Sequence, residues 1–169
     1  AASAQRLLAS ARMAWAMGAT DVVFHPGFYH DDPPPLVLAR IRRRLKEVVD
    51  TLTEEGNPVR LRPEVMGRQS QFGTLDEVLE LSLEVPQVAP CIDFGHWHAR
   101  TGRYNSYQEF VALLDQVEAA LGPLALKAMH IHVAGMEYGP KGERRHLVFA
   151  QSDLNYREFV LALKHRGVE

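Results

Sequence analysis

The feature that most constrains this chain is an alternation of two apolar patterns. Segments with hydrophobic residues every three or four positions alternate with short β-like runs, at a spacing of roughly 30–40 residues. Five segments carry the helical pattern. Residues 4–17 end at Gly18, and residues 36–55 place Leu38, Ile41, Leu45, Val48, Val49 and Leu52 on one face before Gly56. Thr74-Leu75-Asp76-Glu77 is a capping box that opens a helix through about Glu84. Ser106 is positioned to cap 107–121, and Ser152 or Asp153 to cap 154–166. Between them lie the β-like runs 21–24, 59–62, 88–92 and 126–133, with a stub at Val168 placed to start another. Pro33-Pro34-Pro35 reads as a stiff loop. Strict α-β alternation predicts sequential parallel strands with helical crossovers.

The chain has 169 residues, 46% of them hydrophobic, enough for a real core and one α/β domain over 1–169. Nineteen basic against 21 acidic residues leave a net charge of −2, so no global basic field recruits nucleic acid. The single cysteine, Cys91, excludes an intramolecular disulfide and a cysteine-based zinc finger, and suits a reducing cytoplasm. No apolar run reaches the ~18–20 residues of a membrane helix, and no signal peptide is legible. The first residue is Ala1 and the chain stops at Gly167-Val168-Glu169, so both ends read as cut from something longer.

Polar, metal-competent residues stand at the C-terminal end of every β-like run: His25-Pro26-Gly27, Arg62-Pro63-Glu64, Asp93-Phe94-Gly95-His96, and His130 with His132. The loop after the fourth run ends at His146. In parallel α/β folds that edge carries the active site. Each residue has a structural alternative: His25 tied to backbone, Glu64 paired with Arg60 or Arg62, Asp93 and His96 as a simple hydrogen-bonded pair, His146 in a solvated basic loop. Their joint occurrence at one edge favours a metal centre, and imidazoles with carboxylates suit Zn²⁺, Mn²⁺ or Fe²⁺. In Asp93-Phe94-Gly95-His96, a strand end turning into a loop lets both side chains face one cavity. His130 and His132 share a face by the period of two, with His132 nearer the edge and the better ligand.

Phe24-His25-Pro26-Gly27, Arg62-Pro63-Glu64-Val65-Met66-Gly67, Cys91-Ile92-Asp93-Phe94-Gly95-His96, His132-Val133-Ala134-Gly135 and Gly142-Glu143-Arg144-Arg145-His146-Leu147 occur in this order. Together they resemble the endonuclease IV family of apurinic/apyrimidinic (AP) endonucleases, within the xylose isomerase-like TIM-barrel superfamily. The resemblance implies part of a (β/α)8 barrel, its fourth to seventh strands. It implies up to three metal ions, usually zinc, and cleavage of DNA 5′ to an abasic site. Carried over by position, His25 falls on the first metal, Glu64 bridges the first and second, Asp93 and His132 fall on the second, and His96 and His146 on the third. The family's aspartate two residues before its third-metal histidine is Arg144 here, and Glu143 is a substitute one residue further back. The histidine before His25 and the glutamate of the last strand are absent, so each metal is expected to lack one ligand.

Two further readings stay open: a one-metal sugar isomerase or epimerase using Glu64, Asp93 and His132, and a catalytically inactive fragment or interaction module whose His, Asp and Glu set binds metal loosely or not at all. For a DNA partner, Arg100, Arg103, Lys141, Arg144 and Arg145 are candidates to neutralise phosphates. Tyr29, Trp97 and Tyr104 are candidates to fill the gap left by a flipped nucleotide.

Overall fold

The computed structural model describes residues 2–168. Four parallel strands lie in chain order: β1 (Asp21–Phe24), β2 (Arg60–Pro63), β3 (Cys91–Asp93) and β4 (His130–His132). Ladders join β1 to β2 and β3 to β4. Between β2 and β3 the pairing is reduced to two parallel bridges, Leu61–Val88 and Glu64–Cys91. The physical cause is Pro63, which has no amide to donate. This is the partial TIM barrel of the sequence reading, with helices α1 (Ala2–Ala16), α2 (Pro34–Glu54), α3 (Leu75–Glu84), α5 (Tyr107–Leu121) and α7 (Tyr156–Arg166) at the five expected places.

Several boundaries differ from expectation, each for a local reason. Pro34 and Pro35 are not loop but the first turn of α2, where a missing amide costs nothing. Asp93-Phe94-Gly95-His96 is not a loop but the start of helix α4 (Phe94–Thr101), capped by Asp93, whose Oδ1 accepts the His96 amide at 2.8 Å. The expected strand 126–133 is only His130–His132, because Leu124–Lys127 form a helical turn, α6, after Pro123. Helix α7 is capped by Asn155 rather than Ser152 or Asp153. The Val168 amide returns to the Leu163 carbonyl at 3.1 Å, closing α7 around Gly167 at φ +60°, and a strand expected from Val168 onward lies outside the described residues. The segment after β4 is not a loop either. It folds as an antiparallel hairpin, β5 (Gly135–Gly139) and β6 (Gly142–Leu147).

Two apolar clusters fix the layers. Leu45, Val48, Leu52, Leu61, Phe72 and Leu81 join α2 and α3 to the outward face of β2. Leu75, Ile92, Phe94, Phe110, Leu113 and Phe159 join α3, α5 and α7 to β3. Complete burial of such side chains contributes about 1.5–3 kcal/mol each. The residues alternating with Leu61 point away from the helices and are polar. Arg62, 3% exposed, donates from Nε to Asp21 Oδ1 at 2.6 Å, from Nη1 to the Pro90 carbonyl at 3.0 Å and from Nη2 to the Ala128 carbonyl at 3.2 Å. One guanidinium therefore ties β2 to β1 and to the segments entering β3 and β4.

On the flank of β1, a cleft of about 530 Å³ opens between α1 and α2. Among the described residues no helix is long and apolar enough to cross a membrane.

Burial alone would raise the Asp21 carboxyl, but hydrogen bonds from Thr20, Arg60 and Arg62 override it and hold the pKa at about 2. The stability this adds is fully present above the unfolded value of about 4 and is lost as pH falls through the folded one. Asp21→Asn should therefore flatten the acid limb of a stability–pH curve between about pH 4 and 2. An unchanged limb would show that the clamp does not titrate there. Arg62→Met leaves Asp21 short of one partner and two carbonyls unpaired, and should lower urea stability by at least about 2 kcal/mol.

Candidate metal centre

The strand ends and the hairpin bring seven side chains around one cavity of about 800 Å³: His25, Glu64, Asp93, His96, His132, Glu143 and His146. Six of these are the sequence-derived candidates. Glu64 follows β2 directly, and its side chain is 5% exposed. Its carboxylate lies 3.2 Å from His25 Nε2, 2.8 Å from His132 Nδ1 and 3.6 Å from His96 Nδ1. Neither Arg60 nor Arg62 takes it, because both are bonded to Asp21. The Glu64–arginine alternative is thus replaced by a Glu64–histidine arrangement.

Asp93 ends β3 and caps α4, which aims it at the same point. Burial pushes its carboxyl above the usual carboxylate range, against the His96 ring and amide, and nearby Glu64 pushes it further. Two buried carboxylates side by side favour a cation between them. Glu64, Asp93 and His132 each offer a ligand atom within 4.8 Å of the others.

A second set lies beside the first. His96 Nδ1 faces the Val65 carbonyl at 3.0 Å and so donates its proton there. That leaves Nε2 as the nitrogen turned to the cavity. This Nε2 faces His146 Nε2 at 3.2 Å, and Glu143 lies 3.8 Å from both rings. His96, Glu143 and His146 form a second group with ligand atoms within 4.8 Å.

Glu143 reaches this place through a backbone irregularity. In a regular strand, residues three apart point to opposite faces. Here Glu137 pairs with Arg145 and Tyr138 with Glu143, so Arg144 is an extra residue without a partner. That bulge realigns Glu143 with His146. It is held against the mouth by Gly142, at φ +89°, whose Cα packs so closely on the Gly67 carbonyl that a Cβ would stand 2.2 Å from it. The Glu143 amide donates to the same carbonyl at 2.9 Å. This set brings together three candidate donors, with Glu143 in the place expected of the substitute carboxylate. The first expected site has two, His25 and Glu64.

His132, not His130, groups with Glu64 and Asp93; His130 packs edge-on against His132 at 5.3 Å between ring centroids. His98, which the sequence reading passed over, is buried on the far side of α4. Its Nδ1 meets the Arg103 carbonyl at 2.7 Å and its Nε2 meets Asp153 Oδ1 at 3.2 Å, a structural pin under the hairpin. A histidine two residues from His96 carries no sequence signal of this, because the partners are 5 and 55 residues away.

The expected DNA-contacting side chains divide. Arg100 points inward: its Nη1 donates to the carbonyls of Arg68 at 2.6 Å and Gln71 at 3.0 Å, and its Nη2 approaches Tyr29 Oη at 3.4 Å. It fastens the loop after β2 and is not free for phosphate. Tyr29 donates to Glu77 and packs on Phe72. Trp97 and Tyr104 pack on each other against the core. These three rings support loops rather than project into the cavity. Arg103, Arg144 and Arg145 are exposed, and Arg68 stands at the rim, 3.9 Å from Glu143. Lys141 sits in the exposed turn of the hairpin.

Strands, polar mouth and donor groups describe part of an α/β barrel whose mouth carries residues that could hold a metal. The sequence profile of the xylose isomerase-like TIM barrel family matches residues 1–169, so the chain belongs to that family. It is 42% identical over 163 residues to the uncharacterized protein MJ0133 of Methanocaldococcus jannaschii, covering 96% of this chain and 59% of that one. It is 27% identical over 134 residues to a probable endonuclease 4 of Oceanobacillus iheyensis, covering 76% of this chain and 43% of the relative. The chain spans about half the length of the curated relatives it matches. Among solved structures, a D-tagatose 3-epimerase-like protein superposes with TM-score 0.71 at 20% identity, covering 96% of this chain and 57% of that one. Endonuclease IV from Thermus thermophilus superposes with TM-score 0.68 at 20% identity, covering 97% of this chain and 55% of that one. These two likenesses share the fold alone.

Replacing Arg100 by Met removes charge-assisted bonds of about 1.5–3 kcal/mol from the loop after β2. Hydrogen exchange at the Gln71 and Phe72 amides should then accelerate by about tenfold or more. Unchanged exchange would contradict the role given to Arg100.

Proposed function

We propose that the protein is a divalent-metal-dependent phosphodiesterase of the endonuclease IV type, acting on DNA at abasic sites. The observation that carries this reading is the second donor set, His96, Glu143 and His146, directly beside Glu64, Asp93 and His132. A one-metal sugar epimerase has use for the latter set only. In-line displacement at phosphorus gains from more than one cation around one phosphate. The relatives named probable endonuclease 4 support the same direction.

In this reading Glu64, Asp93 and His132 hold one ion, and His96, Glu143 and His146 another. His25 with Glu64 is an incomplete third set. Cations held there would supply Lewis-acid stabilisation of the phosphoryl oxygens and a water of lowered pKa. The rest belongs to the chain. Glu64 has its two carboxylate oxygens turned to different histidines, Oε2 to His25 and Oε1 to His132, which suits a bridging role. The Val65 carbonyl takes up His96 Nδ1, which leaves Nε2 as the nitrogen that faces the metal set. Arg68 at the rim and the exposed Lys141, Arg144 and Arg145 of the hairpin stand where they can neutralise flanking phosphates. In this reading the 169 residues stand for the fourth to seventh βα units of an eight-stranded barrel, and the ligands missing from the first set would come from units outside them.

The test is nicking of an abasic duplex by the complete barrel together with metal analysis. Activity should be chelator-sensitive and restored by Zn²⁺ or Mn²⁺, and Glu64→Gln should abolish it. Ketose epimerisation without nicking would contradict the proposal and establish the sugar reading. The 169 residues alone should nick poorly, because a missing ligand or outer partner lowers affinity or activity by about 10–100-fold. Deleting Arg144 removes the bulge and should cost one equivalent of bound metal. Undiminished metal content would contradict the role assigned to Glu143.

A further inference from the structure

The inward face of the strands continues below the carboxylate set, and its chemistry changes there. Cys91 pairs with His130 in the β3–β4 register, and the next inward pair is Asp93 with His132. Side chains directly opposite in neighbouring strands point to the same face. Cys91, His130 and His132 thus form a third group whose ligand atoms all lie within 4.8 Å of one another. One thiol and two imidazoles are a soft donor set, in contrast to the hard carboxylates of Glu64 and Asp93.

We propose that Cys91, His130 and His132 form a site for a thiophilic cation, Zn²⁺ or a softer ion, that competes with the carboxylate site through the shared His132. Binding forms a metal–sulfur bond and releases the Cys91 thiol proton to water. A thiolate donor favours a cation that bonds strongly to sulfur. The charge of nearby Arg62 is matched by Asp21, to which it is bonded at 2.6 Å. His130 and His132 are partly exposed, so an ion reaches the buried sulfur past the imidazoles. Because His132 also faces Glu64 at 2.8 Å, occupation of the sulfur site withdraws a ligand from the carboxylate site. Only this competition rests on the proposed function; the sulfur site stands or falls on its own.

The test is titration of the chelator-stripped protein with Cd²⁺ alone, followed by ultraviolet thiolate-to-metal charge transfer. A one-equivalent band is expected. It should vanish in Cys91→Ser, weaken at least tenfold in apparent affinity in His130→Ala, and persist in Glu64→Gln and Glu143→Gln. Should Cys91→Ser fail to fold, alkylation of Cys91 in the unaltered protein gives the same answer: Cd²⁺ should slow it, Mn²⁺ should not, and His130→Ala should abolish the protection. Binding without a charge-transfer band, or a band indifferent to His130→Ala, would overturn the site. A band that survives in Glu64→Gln while abasic nicking is absent from the unaltered enzyme would separate failure of the functional reading from failure of this one.

Discussion

The interaction on which the rest depends is the guanidinium of Arg62. Short parallel strands, one pair interrupted by a proline, hold each other weakly through backbone bonds alone. Arg62 compensates by bonding to Asp21 on β1 and to the carbonyls of Pro90 and Ala128, which lead into β3 and β4. A single side chain thus sets the relative height of four strands. That height decides what stands at their far ends. It also explains why Glu64 is available: Asp21 takes both arginines that precede Glu64 on β2, and the carboxylate pairs with histidines instead.

The mouth follows from this spacing. Alternation along each strand sends Leu61 and Ile92 to the helices and Glu64, Cys91 and Asp93 the other way. Capping of α4 by Asp93 then places His96 one turn in, beside its own cap. The hairpin closes the far side, and its one-residue bulge turns Glu143 toward His96 and His146. Each donor reaches the centre by a different backbone device, and Glu64 touches three of the histidines.

Much of this was legible in the sequence, because periodicity and caps are local. The capping box at Thr74, with the Glu77 amide donating to its hydroxyl and Glu77 accepting the Thr74 amide at 2.9 Å, forms as the residue pattern predicts. The four parallel strands in chain order follow from alternation. What escaped was decided by distant partners or by single backbone irregularities. The hairpin from Gly135 to Leu147 alternates too weakly to be seen as strands, being rich in charge and glycine. Its bulge at Arg144 depends on the docking of Gly142 against Gly67, far back in the chain. Arg100 reads as a phosphate contact in sequence, since nothing local tells that four carbonyls of the loop after β2 surround it.

The central claim is that two adjacent donor sets, joined through a mouth centred on Glu64, each hold a divalent cation. Anomalous diffraction at the zinc edge from crystals of the zinc-loaded protein tests it most directly. Two peaks are expected, one among Glu64, Asp93 and His132 and one among His96, Glu143 and His146. A single peak confined to the first set, or density at neither, would contradict the account.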